Sequence, residues 1–222
     1  APSDHQETEW QFDALDLRPV ERWLLARSGE SPPAISPGEV VENVDTYVET
    51  EDWRFHRAGL ALRLRQKGSR SEATLKSLAA ATDGLRARRE ITETITSSSL
   101  EALASATGPL GEHVRALAGL KPLRMLFEVS THRQEFSATL DGSTAATLSL
   151  DETVIHFSPD ASPVRFHRVE VEVEGEYTTA LTPFVEELRA ACALRPAASS
   201  KYEAGLLACG LTPSSLPDLS PG

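Results

Sequence analysis

Polar and apolar residues alternate with a period of two along much of the chain, a pattern typical of β-strands. The alternation is most regular where Leu60, Leu62 and Leu64 share one face and Arg63 and Arg65 share the other. A helix would distribute these side chains around its whole surface. We predict about eight strands, over residues 6–12, 40–47, 60–67, 73–76, 86–94, 124–140, 145–157 and 166–174.

Apolar residues at helical spacing predict helices between and after these strands. The predicted helices cover residues 16–27, two short segments within 98–120, residues 178–194 and a stretch after Ser200. The Asp141-Gly142 pair predicts a hairpin turn. Residues 28–38 and 212–222 are rich in proline, glycine and serine, and we predict that they are connecting segments. The pattern as a whole predicts an α+β fold built on a β-barrel or a strongly curved sheet.

The composition narrows the classes of function. The 222 residues include 33 acidic and 22 basic side chains, and the formal net charge of -11 argues against a general nucleic-acid or membrane-surface binder. The two cysteines have no partners at zinc-ligand spacing, and no apolar run reaches the roughly 20 residues of a membrane helix. We therefore expect a cytoplasmic protein, monomeric or homodimeric, that binds neither nucleic acid nor membrane.

Two predicted strands carry carboxylates along one face. Glu170 and Glu172 alternate with valines, and Glu7 and Glu9 are spaced in the same way near the start of the chain. Carboxylates two residues apart on a strand lie only about 7 Å from each other and repel unless cations oppose them. If the barrel closes with these faces inward, its lumen suits a polyphosphate, because guanidinium groups bind phosphate oxygens while carboxylates hold a bridging divalent cation.

Several segments resemble motifs of the CYTH superfamily, the triphosphate tunnel metalloenzymes, and they follow in the family's order from about residue 7 to residue 206. The segment Glu7-Thr8-Glu9-Trp10-Gln11 matches the two glutamates of the E-x-E-x-K signature but not its lysine. The other matching segments are 46–50, 57–65, 74–76, 88–90 and 169–174. Residues 200–206 resemble the S-K-x-E-R-G segment of the CYTH domains that accompany CHAD domains, with Ala204 in the arginine position.

This resemblance implies an eight-stranded antiparallel closed β-barrel, the triphosphate tunnel, over residues 1–206, with flanking and C-terminal helices and a flexible tail or linker over 207–222. It implies hydrolysis of an inorganic, organic or nucleoside triphosphate with Mg²⁺ or Mn²⁺, and a CHAD-type domain as a possible fused or associated partner. The implied metal ligands are Glu7, Glu9, Glu170 and Glu172. The implied phosphate-binding residues are Arg63, Arg65, Lys76, Arg89, Arg133 and Lys201, and the implied catalytic residues are Glu7, Glu9, Lys76 and Lys201.

Departures from the family pattern predict reduced activity. Gln11 replaces the signature lysine and so removes a positive charge from the site, and the stretch around Ser130 is less basic than is usual in the family. Three alternatives to the triphosphatase therefore stay open. They are a noncatalytic module that binds polyphosphate or nucleotides, a class IV-type adenylate cyclase, and a domain whose charged strand faces are merely solvated.

Overall fold

The computed structural model describes residues 2–27 and 31–213. Its strands in these ranges are β1 (Ser3–Ala14), β2 (Ala34–Thr50), β3 (Leu60–Lys67), β4 (Arg70–Ser77), β5 (Leu85–Ile95), β6 (Leu123–Leu140), β7 (Ser143–His156), β8 (Val164–Val173) and β9 (Arg195–Pro196). Its helices are α1 (Arg18–Ala26), α2 (Arg54–Arg57), α3 (Leu100–Ala104), α4 (Pro109–Ala118), α5 (Thr178–Ala191) and α6 (Lys201–Ala208). Each strand predicted from the alternating pattern overlaps one of β1 to β8, which confirms those predictions.

The first eight strands form a closed antiparallel barrel. Around the barrel they follow the order β1, β5, β4, β3, β2, β6, β7, β8, and β8 pairs with β1 to complete the circle. The predicted α+β fold with an eight-stranded closed barrel is therefore confirmed. Because β1 lies between β5 and β8, Glu9 is directly opposite Glu172 and Gln11 is directly opposite Glu170.

Two of the hydrophobic clusters lie outside the barrel, between its wall and the surrounding helices. On one side, the outward face of β3, including Leu62 and Leu64, packs with Leu110 and Val114 of α4. On the other side, the apolar residues of β1, β7 and β8 pack with α1 and α5, whose contacts include Leu24 and Leu188. Burying the apolar face of each strand under a helix leaves the opposite, polar face directed into the barrel.

Helix α6 covers one end of the barrel. Tyr202 and Leu206 of this helix pack with Tyr47 and Phe127, which lie near the ends of β2 and β6. The helix begins with a capping box, in which Ser200 and Glu203 each accept a backbone N–H of the other. This arrangement confirms the helix predicted after Ser200, and it directs the first residues of α6 toward the lumen.

Two predicted boundaries are wrong. Residues 28–38 were expected to be a connecting segment, but β2 begins at Ala34, pairs with β6 and buries Ile35 in the core. The strand accommodates Pro37 because the register shifts between Pro37 and Val40, where the ladder needs no proline N–H. The predicted tail starts too early, since α6 continues to Ala208 and Leu211 packs against the end of the barrel.

Residues 28–30 and 214–222 of these two predicted segments lie outside the described residues. Across the described ranges, every helix is too short or too polar to cross a lipid bilayer.

Candidate functional site

A cavity of about 120 Å³ lies inside the barrel and is lined mainly by charged side chains. The inward faces of seven strands and the start of α6 contribute to it. The charged residues of its wall are Glu7, Glu9, Arg63, Arg65, Lys76, Arg88, Glu90, Arg133, Glu170, Glu172 and Lys201. The barrel therefore brings together all of the site residues predicted from the sequence except Arg89.

Arg89 is the predicted site residue that the structure places elsewhere. Its side chain is 71% exposed and pairs on the outside of the barrel with Asp4, whose carboxylate accepts from the Arg89 Nε and Nη2. The preceding residue, Arg88, faces the cavity instead, because successive strand residues point to opposite faces. Sequence reasoning also missed Glu90, although Glu90 shares the inward face of β5 with Arg88.

One end of the site is a network of carboxylates around Lys76. The Lys76 Nζ lies 2.6 Å from a Glu7 oxygen and 3.2 Å from a Glu90 oxygen, while Arg88 donates to Glu9. Burial and the charge of Glu9 raise the pKa of Glu7 to about 9. Burial would also raise the pKa of Glu90, but its contacts with Glu7 and Lys76 lower it. Of this pair, the Glu7 carboxyl therefore ionises less readily than the Glu90 carboxyl.

The second half of the site joins β6, β7 and β8 to α6. Asp151 accepts hydrogen bonds from the Arg133 Nε at 2.8 Å and from the Lys201 Nζ at 2.5 Å. Glu170 contacts the same two cations, each at 2.9 Å. Burial opposes ionisation of Glu170, but Lys201 and Arg133 outweigh it and hold the pKa of Glu170 well below its ordinary value. Two carboxylates and two cations thus neutralise one another here.

Glu172 differs from the other carboxylates because no basic group among the described residues lies within ion-pair distance of it. Burial and the neighbouring Glu9 raise the pKa of Glu172, as expected for a carboxylate that faces others of like charge. Oxygen ligands of this kind suit Mg²⁺ or Mn²⁺. In residues 2–27 and 31–213, however, no three His, Cys, Asp or Glu side chains converge in a metal-binding geometry.

The predicted metal ligands therefore fit a hard divalent cation by their chemistry, but they are not arranged to bind it in advance. Glu7 and Glu9 are held by Lys76 and Arg88, and Glu170 is held by Lys201. A cation that binds beside Glu172 would have to take over some of these contacts.

Arg63 and Arg65 were both predicted to bind phosphate, and their surroundings differ. Arg65 is neutralised by Asp45, which accepts from its Nε at 2.7 Å and its Nη2 at 2.8 Å. Arg63 has a long contact of 3.4 Å with the Thr74 hydroxyl, and its Nε has no acceptor among the described residues. The buried Nε of Arg88 is likewise without an acceptor in this part of the chain. Buried guanidinium donors without acceptors indicate a site for an anion.

Gln11 takes the position of the signature lysine, and its amide links two charged neighbours. Its Nε2 donates to Glu9 at 2.7 Å, and its Oε1 accepts from the Arg168 Nη1 at 3.4 Å. The amide group of Gln11 makes both hydrogen bonds without adding a charge to the site. The consequence predicted for activity stays a prediction.

Asp45 provides a test of the buried Arg65 contact. Burial would raise its pKa, but Arg65 and Arg63 outweigh this effect and lower the pKa of Asp45 from 3.8 to about 2. Because the folded-state pKa lies below the unfolded one, the carboxylate stabilises the protein above about pH 4, and this contribution is lost as the pH falls toward 2. We expect Asp45→Asn to lose about 2 kcal/mol of unfolding free energy at pH 6 and almost none at pH 2.

Urea unfolding of both proteins across this pH range measures the difference, with the exposed substitution Asp160→Asn as the control for general effects of acid. A difference that stays constant from pH 6 to pH 2 would show that the Asp45 charge contributes nothing.

The structure is thus a closed antiparallel barrel with a charged lumen and apolar outer faces. The model of the CYTH domain family matches residues 33–205, and the chain belongs to this family. The match does not address the predicted association with a CHAD domain. A comparison with curated proteins gives no significant match.

Solved structures with the same fold cover nearly the whole chain at low sequence identity. HpAC1 from Hippeastrum, a proposed adenylyl cyclase reported to have a dominant triphosphatase activity, is similar with a TM-score of 0.66 and 15% identity over 93% of this chain and 97% of that one. A proposed adenylate cyclase from Bacillus halodurans gives a TM-score of 0.61 and 22% identity over 90% and 97%. PH1819 from Pyrococcus horikoshii gives 0.52 and 14% over 90% and 99%. At these identities the likeness shows the shared fold.

Proposed function

We propose that the protein is a divalent-metal-dependent hydrolase of triphosphate compounds. The observation that carries the proposal is the pair of guanidinium groups of Arg63 and Arg88, which face the lumen. The buried Nε of each has no acceptor within the part of the chain that the structure describes. Carboxylates line the same lumen, so the cavity offers both a grip for phosphate and ligands for a cation. The dominant triphosphatase activity reported for HpAC1 supports the same reaction class.

The proposed roles follow from the charges of the wall. Arg63 and Arg88 can each donate to a phosphate oxygen through an Nε that has no acceptor among the described residues. Arg133, which is held by Asp151 and Glu170, adds positive charge, as do Lys76 and Lys201. Burial strengthens these contacts, because the lumen has a lower dielectric constant than water. In-line transfer of a phosphoryl group needs mainly positioning and charge stabilisation, which such a wall can supply.

Mg²⁺ or Mn²⁺, when bound, would neutralise negative charge that develops on the transferred phosphoryl group. Glu7, Glu9, Glu170 and Glu172 are the residues that would hold it. Glu7, whose pKa is raised by burial and by the charge of Glu9, is a carboxyl of the wall that could hold and release a proton. Gln11 contributes no charge, which favours a modest rate.

Phosphate release tests the proposal directly. Purified protein is incubated with tripolyphosphate, ATP or thiamine triphosphate, each with Mg²⁺, Mn²⁺ or EDTA, and liberated phosphate is measured. We expect release from at least one substrate with metal, and a loss of at least about a hundredfold in EDTA, since removing charge stabilisation at a transition state has effects of this size. Folded protein that releases no phosphate under any condition would refute the hydrolase.

The same samples distinguish the two alternatives. The Bacillus halodurans neighbour is a proposed adenylate cyclase, so ATP products are separated by chromatography to detect cyclic AMP and pyrophosphate. A noncatalytic module is favoured by the neutral Gln11, and it would show tight binding of tripolyphosphate in calorimetry without turnover.

A further inference from the structure

A second inward-facing arginine on β5 has no place in the site described above. Arg86 lies two residues before Arg88 on the same face of the strand and is only 2% exposed. Its Nη1 donates to the Ala79 carbonyl at 2.7 Å, whereas its Nε and Nη2 have no acceptor among the described residues. These two nitrogens form one edge of the guanidinium group, and both of their N–H groups point the same way.

Other arginines of this protein show what that edge binds. Arg65 uses its Nε and Nη2 to hold Asp45, Arg133 uses them to hold Asp151, and Arg89 uses them to hold Asp4. In each case the partner is an oxyanion bound side-on by two parallel N–H groups, the strongest geometry available to arginine. Arg86 presents the same edge without such a partner.

The charges around Arg86 do not compensate for its burial. The nearest carboxylate oxygen belongs to Glu203, 3.9 Å from the Nη2, and the same oxygen already accepts the Ser200 backbone N–H that caps α6. Burial lowers the pKa of Arg86, and although Glu203 opposes this effect, Arg88 lowers it further. Arginine stays protonated in proteins, so the structure buries one cation beside another. Among the described residues, only the Glu203 carboxylate lies within ion-pair distance of Arg86, and it is too far away to accept a hydrogen bond from it.

We propose that Arg86 forms a subsite for one further phosphate-like oxyanion, next to Arg88 on the side of the barrel covered by α6. Residues i and i+2 of a strand are about 7 Å apart, so an anion at Arg86 continues the row of phosphate contacts along β5. The inference rests on the proposed function and extends it. It predicts that the tunnel binds phosphate chains longer than three units.

Calorimetry tests the subsite by comparing tripolyphosphate with tetrapolyphosphate in EDTA, where hydrolysis is suppressed. We expect the wild-type protein to bind tetrapolyphosphate at least about tenfold more tightly, as one additional charged hydrogen-bonded contact would produce. In Arg86→Gln the ratio of the two affinities should fall to near one. In Arg89→Gln, the matched control on the outer face of the same strand, the ratio should stay as in the wild type.

A further titration adds inorganic phosphate to the protein saturated with tripolyphosphate. Binding that depends on Arg86 would identify the oxyanion as a separate phosphate, and it would support the subsite equally. If tripolyphosphate binds but the affinity ratio is unchanged in Arg86→Gln and no phosphate binds, the subsite is refuted while the proposed function stands. If tripolyphosphate does not bind, the proposed function fails. The subsite is then tested separately with inorganic phosphate alone, which should raise the melting temperature of the wild type but not of Arg86→Gln.

Folding of each variant is checked by its thermal unfolding. Arg86→Gln removes a buried, uncompensated charge, so its ligand-free melting temperature should equal or exceed that of the wild type. Should this variant fail to fold, Arg86→Lys replaces it, since lysine keeps the charge but lacks the two parallel donors. An affinity ratio in Arg86→Lys equal to that of the wild type would overturn the side-on subsite.

Discussion

Replacing Arg88 by glutamine should lower kcat/KM for tripolyphosphate hydrolysis by about a hundredfold or more, whereas Arg89→Gln should leave it within about twofold. The two arginines are adjacent in sequence and on one strand, but only Arg88 lines the cavity. Its guanidinium group contacts Glu9 and has a buried donor left for phosphate, while the Arg89 side chain pairs with Asp4 in solvent. A salt bridge exposed in this way contributes little to stability, so Arg89→Gln should also fold normally.

The measurement is steady-state phosphate release at several substrate concentrations, with circular dichroism to confirm that both variants are folded. Arg88→Lys separates charge from geometry, because it keeps a cation near Glu9 but cannot bind phosphate side-on. We expect it to recover only part of the lost activity. Equal losses for Arg88→Gln and Arg89→Gln would contradict the orientation of β5 in the barrel.

Lys201→Met should lower the free energy of unfolding by about 3 kcal/mol. The Lys201 Nζ bridges Asp151 and Glu170, and Asp151 is fully buried. Removing one member of a buried ion network leaves the remaining charges without compensation, and here a single cation, Arg133, would face two carboxylates. Methionine keeps most of the volume of lysine, so the loss of charge dominates the effect.

Urea unfolding monitored by tryptophan fluorescence measures this change, and Lys67→Met serves as the control because Lys67 is exposed at the end of β3. The control should change stability by less than about 0.5 kcal/mol. A loss below about 1 kcal/mol in Lys201→Met would show that water, rather than Lys201, neutralises Asp151 and Glu170.

Strand faces could be predicted from the sequence wherever one face is uniformly apolar. Leu60, Leu62 and Leu64 define the outward face of β3 and therefore place Arg63 and Arg65 inside, as the structure confirms. The same reasoning failed on β5, because Arg88 and Arg89 put a basic residue on each face. When both faces of a strand carry an arginine, the sequence does not show which face points into the barrel.

The start of β2 shows a second limit. Pro37 and the neighbouring glycine predict a loop, but pairing with β6 and burial of Ile35 keep this segment in the sheet. Long-range pairing therefore outweighed the local preferences of these residues. Local sequence could not reveal this, because the partner strand lies about a hundred residues further along the chain.

The order of polar and apolar side chains was sufficient to predict the eight barrel strands, most of the helices and a β-barrel or strongly curved sheet with charged strand faces, because alternation is a property of neighbouring residues. The contacts of the site arise from pairs that are distant in the chain. The register of β1 with β5 and β8 places Glu9 beside Arg88 and Glu172, and the docking of α6 brings Lys201 to Asp151. Closure of the barrel fixes these distances, and closure depends on all of the strands. The tertiary structure alone therefore determines which charged side chains come into contact.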